Sequence, residues 1–180
     1  VPRAPHTTKE VEEALYAKAF GINLIITDHH LAGEIIPEAW AIINSKYAIE
    51  DYPGGELAGV GVVFKITQAL YRRLGLDESE LEEHLDLVAL GTAADVVSLT
   101  KENRILCKYG LEQIAKSNKP GLKVLILSAG LQGKSIGTAQ VVFGLAPRLN
   151  AVGRLGDAIH SIRLLVTRDE NEAFQIASFL

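Results

Sequence analysis

The chain has 180 residues, 48% of them hydrophobic and 22% charged, with a net charge of −4. That balance belongs to a soluble globular domain, long enough to bury a real core. No run approaches the roughly 18 consecutive apolar residues of a membrane span, no signal peptide is evident, and a single cysteine excludes an internal disulfide. The charge is uneven: residues 1–100 hold 7 Lys and Arg against 16 Asp and Glu, and residues 101–180 hold 11 against 6. A negative first half suits cation binding and a positive second half suits phosphate, although two solvated helix faces would count the same way.

Thr7 and Glu10 have capping-box spacing and open a helix through Val11, Leu15, Ala19 and Phe20 that ends at Gly21. Residues 22–27 are apolar and β-branched, and read as a buried parallel strand. At its carboxyl end stand Asp28, His29 and His30, on the edge where open α/β sheets bind ligands. A carboxylate beside two imidazoles offers mixed oxygen and nitrogen donors, suited to manganese, zinc or iron more than to calcium. The same tripeptide would also serve as a turn cap with two surface histidines. Residues 40–43 read as a second strand, which predicts part of a parallel sheet. Tyr52-Pro53-Gly54-Gly55 marks a loop.

From Leu57 the pattern is helical to the end of the chain. Residues 57–74 read as one helix, in which Gly59 and Gly61 each cost about 1 kcal/mol relative to Ala. That cost predicts close backbone packing, with the Asp-His-His loop as the neighbour. Asp77 and Glu80 start a helix that runs to Leu90 and stops at Gly91, so Asp95 lies just past a helix end. Set among small and apolar residues, Asp95 reads as a partly buried carboxylate that needs a metal or hydrogen bonds, or else as a cap. Thr100 can cap a helix over 101–116, where Cys107 reads as a core residue. Further helices are predicted over 122–129, 136–145 with Ser135 as cap, 156–166 and 169–180, with a loop over 146–153. The last helix reads as a connecting helix. No internal repeat is present.

Asp28-His29-His30 and Gly91-Thr92-Ala93-Ala94-Asp95, in this order, resemble the third and fourth motifs of the DHH phosphoesterase superfamily. More narrowly, they resemble its RecJ-like branch of single-strand-specific DNA exonucleases. Three further stretches resemble that branch: Ala41-Ile42-Ile43-Asn44, the segment from Leu57 to Lys65, and the segment from Pro147 to Leu155. The resemblance implies an α/β fold, a small parallel sheet followed by an all-helical part. It reads as a single partial DHH domain over 1–180, divided into a sheet part (1–56) and a helical part (57–180).

The resemblance also implies a two-metal site for Mn2+ or Mg2+, with His29 and Asp95 as metal ligands. Asp28 would orient the His29 ring, and His30 would face the scissile phosphate as a donor or general acid. Arg154, Arg148 and Asn150 would meet the phosphate backbone. RecJ-like proteins carry an Asp-x-Asp strand and another aspartate before Asp-His-His; here no acidic residue precedes Glu10. The chain therefore reads as an excised middle piece, its two-metal site incomplete and its activity in isolation weak or nil. Val1–His6 read as foreign sequence or as a divergent strand of the second motif.

The function implied is 5′-to-3′ exonuclease action on single-stranded DNA in repair and recombination, in the cytoplasm, with replication or repair proteins as further partners and no membrane. Two alternatives stand beside it. One is a DHH phosphodiesterase or pyrophosphatase acting on small substrates. The other is a non-catalytic DNA-binding scaffold that keeps the fold. Trp40, Tyr47 and Tyr52 are scattered and offer no stacking platform for bases.

Overall fold

A computed structural model of the chain describes residues 7–31, 33, 35–46, 52, 53, 55–154 and 158–178. Val1–His6, the side chains of the Thr7–Glu10 capping box and the side chain of Arg154 lie outside the described residues. Helix α1 (Thr7–Ala19) is followed by a turn at Gly21, whose φ of 67° directs the chain toward the sheet. Strands β1 (Ile25–Asp28) and β2 (Ala41–Asn44) pair in parallel, from Ile25 opposite Ala41 to Asp28 opposite Asn44.

The expected strand is therefore shorter, begins three residues later and takes Asp28 into itself. It is also not buried throughout. Exposed and half-buried residues alternate along it, and Ile25 is 56% exposed. Among the described residues β1 pairs on one side only and is covered on one face by α2 (Gly59–Leu74), so its apolar residues cannot all go inside.

The core lies in the helical part. A 3-10 segment (Glu78–His84) leads into α3 (Leu85–Ala94), and α4 (Lys101–Lys116) packs along α3. Helix α5 (Pro120–Ser128) starts with proline at its first position, where the missing N–H is harmless. Beyond it come a short α6 (Thr138–Gln140), a π segment (Val141–Leu145), α7 (Ala146–Arg154), α8 (Ile159–Val166) and α9 (Glu170–Ala177). Leu90, Ile114, Leu122, Leu125, Val141, Leu145 and Leu164 form one buried cluster. Among the described residues no helix is long and apolar enough to cross a membrane.

Several expected boundaries move for physical reasons. Gly91 does not stop α3. It lies inside the helix at its approach to α2, where a β-carbon would come within 2.9 Å of Val60. Residues 146–153 form a helix rather than a loop. The π segment before them shifts the hydrogen-bond register by one residue, with Ala146 N–H bonding to Val141 O, and so admits Pro147 in the turn that follows. Thr100 and Ser135 do not cap as expected: Thr100 stands at the N-cap of α4 without a side-chain bond, and α6 starts after Gly137. Cys107 is 3% exposed, and burial pushes its thiol pKa up.

Two contacts set the position of α4. A β-carbon on Gly110 would lie 2.1 Å from the carbonyl oxygen of Leu85 and 2.5 Å from Ala89 Cβ, so only glycine lets the helices approach this closely. At the other end, Glu102 accepts from Lys65 Nζ of α2 at 2.9 Å and from the Tyr52 hydroxyl at 2.7 Å. Burial pushes the Glu102 carboxyl up, but the bonds from Tyr52 and Lys65 outweigh it and hold its pKa below the ordinary range. Burial and the same carboxylate push the Tyr52 hydroxyl up to about 12.

Gly110→Ala is expected to cost about 3 kcal/mol or more in urea unfolding, because the clash is with backbone. Gly133→Ala, at φ 68° with nothing within 4 Å, is the comparison and should cost only about 1–2 kcal/mol. The lowered pKa of Glu102 predicts a second effect. Its stabilisation is complete above the ordinary value of 4.5 and is lost as pH falls through the lowered folded value. Melting curves of Glu102→Gln should therefore be less stable than wild type at neutral pH and flatter in the acid range below 4.5. Equal acid slopes would remove Glu102 from this role.

Candidate metal centre

The carboxyl end of β1 presents three chemistry-bearing side chains on a short turn. Asp28 Oδ1 accepts from the His29 N–H at 2.7 Å, from the His30 N–H at 3.2 Å, and pairs with His30 Nδ1 at 2.7 Å. A carboxylate only accepts, so Nδ1 of His30 carries the proton and the tautomer is fixed. The His30 side chain is otherwise 74% exposed. Burial pushes the Asp28 carboxyl up, but the bonds from the His30 ring and the two main-chain N–H groups prevail and hold its pKa below the ordinary range. Asp28 thus orients the His30 ring. Its bond to His29 is to the main chain, not to the ring as expected from the sequence.

His29 is held differently. Its ring packs against Gly59, where a β-carbon would sit 3.3 Å from Cδ2, and stacks at 4.2 Å on the His30 ring, tilted by 42°. The close approach expected of Gly59 is to this ring, whereas Gly61 meets Leu57 of its own segment. His29 Nδ1 is buried and has no hydrogen-bond partner. The carboxylate of Asp95 comes nearest, with Oδ2 at 3.4 Å.

Asp95 reaches His29 from the C-cap of α3. Val96, the next residue, has a φ of 57°, a left-handed conformation that costs a β-branched residue about 1–2 kcal/mol and turns the chain sharply after the carboxylate. The Asp95 carboxylate is partly covered, its side chain 36% exposed. It sits on the rim beside the buried imidazole. Sequence reasoning passes over Asn103, 2% exposed, whose Nδ2 donates to the carbonyls of Glu56 at 2.6 Å and Ser98 at 3.0 Å. It ties the connection after Asp95 to the segment that leads into Gly59. A buried amide in a helix flanked by charged residues gives no periodic signal.

These donors fit a transition-metal or Mg2+-like cation. Ligand atoms of Asp28, His29 and His30 lie within 4.8 Å of one another, and Asp95 adds a carboxylate to the buried, unpartnered nitrogen of His29. An imidazole nitrogen without a proton donor beside a carboxylate is what a cation between them would satisfy.

The other polar candidates make local contacts. Arg148 donates from Nη1 to Gly144 O at 2.9 Å, a bond within its own helix turn, and Asn150 is exposed. Lys108 lies over the Tyr109 ring at 5.2 Å. His84 meets Glu83 at 3.4 Å, far along the chain from the site.

Residues 5–92 match the family model "DHH family, N-terminal domain". The chain is 46% identical over 171 residues to the single-stranded-DNA-specific exonuclease RecJ of Bacillus subtilis strain 168, which covers 93% of this chain and 21% of that protein. A crystal structure of exonuclease RecJ bound to manganese superposes with a TM-score of 0.81 at 36% identity, over 94% of this chain and 42% of that one. RecJ of Thermus thermophilus in complex with Mn2+ gives 0.80 at 36% identity, over 99% and 26%. The chain thus spans less than half the length of these proteins.

Gly59→Ala tests the support of His29. The added methyl presses on the ring, and manganese affinity measured by titration calorimetry should fall about tenfold, as for other groups that support a ligating histidine. The melting temperature should not fall, since Ala is the better helix former. Unchanged affinity would mean the ring's position does not depend on this glycine.

Proposed function

Because the chain belongs to the DHH family and is RecJ-like over more than nine-tenths of its length, we propose that it is the metal-binding middle portion of a single-strand-specific DNA exonuclease. The observation that carries the proposal is the buried, unpartnered Nδ1 of His29 set 3.4 Å from the Asp95 carboxylate. In this reading His29 and Asp95 hold one Mn2+ or Mg2+. The bound ion would lower the pKa of a water so that hydroxide is available to attack phosphorus, and the second ion of a two-metal site would stabilise the leaving oxygen. Residues 1–56 and 57–180 act as the sheet and helical parts of one partial domain, and a cytoplasmic location belongs to the same reading.

The remaining steps fall to this chain's own side chains. His30, anchored through Nδ1 on Asp28, offers Nε2 to the scissile phosphate. With both nitrogens protonated it donates a hydrogen bond to a phosphate oxygen and can pass the Nε2 proton to the leaving oxygen. Asp28 fixes the ring so that its charge meets the phosphate without reorganising. Arg148, Asn150 and Arg154 are assigned to the sugar–phosphate backbone, where a guanidinium holds two oxygens at once.

In the full-length protein that contains this segment, His29→Ala and Asp95→Ala should each lower manganese-dependent release of nucleotides from single-stranded DNA by at least about 100-fold. Both should also weaken manganese binding. Arg154→Ala should instead leave manganese binding intact and reduce the log–log salt slope of DNA binding by about 0.7. Full activity in either ligand variant would refute the metal assignment.

A further inference from the structure

We propose that Asn44, which ends β2, is a positioning residue that holds His30 in its working orientation. The inference rests on the reading of His30 as the group that faces the scissile phosphate. Asn44 stands opposite Asp28 in the parallel register, so the two strand ends deliver an amide and a carboxylate side by side. Asn44 Nδ2 donates to the His30 carbonyl at 2.8 Å, and Asn44 Oδ1 accepts from the Lys46 N–H at 2.9 Å. Both ends of the amide are engaged with main chain. The Lys46 bond fixes which end carries the NH2, and so which end faces His30.

His30 needs such support. Its side chain is 74% exposed, and among the described residues its ring neighbour is His29. An exposed imidazole samples several rotamers unless hydrogen bonds select one. Asp28, the last residue of β1, holds the ring nitrogen and the N–H of His30 from two residues before it. Asn44 anchors the far side of that residue, its carbonyl, to the neighbouring strand. The anchor continues inward: Lys46 Nζ pairs with Glu56 at 3.7 Å, and the Glu56 carbonyl is bound by buried Asn103. His30 is thereby referenced to the helical core and not merely to its own loop.

A positioning role predicts a loss in turnover without a loss in binding. Near-attack geometry is sensitive to shifts of about 1 Å, which can cost about 100-fold in rate. The test uses the full-length enzyme with manganese. The variants are Asn44→Ala, Asn44→Asp, His30→Ala and the double variant His30→Ala with Asn44→Ala. Asn44→Asp keeps the acceptor for Lys46, replaces the donor to His30 by an acceptor and adds a negative charge.

Both Asn44 variants should lower kcat on single-stranded DNA about tenfold or more. KM and manganese affinity should stay within about twofold, and Tm within a few degrees. In the His30→Ala background, Asn44→Ala should cost less than about twofold further, because the group it positions is gone. Undiminished kcat in both Asn44 variants, while His30→Ala is impaired, overturns the proposal. So does a loss that persists in full in the His30→Ala background, a loss of manganese affinity, or a fall in kcat that tracks Tm across the two variants. Full activity in His30→Ala would instead bring down the reading of His30, and this inference with it.

Discussion

The approach of α4 to α3 is the contact on which the other parts depend. Gly110 sits over the Leu85 carbonyl with no room for a methyl group, which draws the two helices close along their length and buries Val88, Ala89, Leu90, Thr92 and Ala93. Helix α3 is thereby fixed as the axis of the molecule. Asp86, 2% exposed at its start, accepts from the Ser117 hydroxyl and, on both oxygens, from Lys119 Nζ, so the α4–α5 connection is latched to the same helix. A buried carboxylate is tolerated only when its oxygens are satisfied in this way. Asp95 lies at the other end of α3. A helix so firmly held delivers its terminal carboxylate to a defined place.

The sheet has the opposite character. Two four-residue strands give few hydrogen bonds, and several apolar side chains around them, Phe20, Ile22, Ile25 and Trp40 among them, are more than half exposed. What holds the Asp-His-His turn is local. Asp28 gathers three donors on one oxygen, Gly59 of α2 receives the His29 ring, and Asn44 and Asn103 tie loops to one another. The candidate centre is thus assembled from a weakly covered sheet edge and a deeply buried helix, brought together through α2, which packs on both. Rigid support on one side and hydrogen-bonded support on the other suits ligands that must keep their places as a cation binds.

The chemistry is easier to read in the sequence than the mechanics. Asp28, His29, His30 and Asp95 are polar residues at the ends of apolar runs, and that contrast carries over to three dimensions: the two strands, the α/β class and the helical second part all follow from periodicity. The departures have local causes. Continuous apolarity in residues 22–27 suggests two buried faces, but only pairing partners can show whether a strand has them. Gly91 reads as a stop because glycine ends helices, whereas here it answers a neighbouring helix. Residues 146–153 read as a loop, whereas a π register change admits Pro147 into a helix. The ring that Asp28 orients is that of His30, two residues on, and not that of adjacent His29, a choice that only the turn's geometry makes. Asn44 and Asn103 act through bonds between segments far apart in sequence, which no short-range pattern encodes.

Cys107 lies in the same α3–α4 contact region, 3% exposed and the sole thiol of the chain, with burial holding it protonated. A thiol that is both covered and protonated reacts with alkylating reagents only when the helices part. Its rate of modification is therefore a clock for local opening of the scaffold, free of background from any other sulfhydryl within these 180 residues. Timed with and without a divalent cation, that clock would report how far ligation at the rim of α3 is felt as rigidity in its middle.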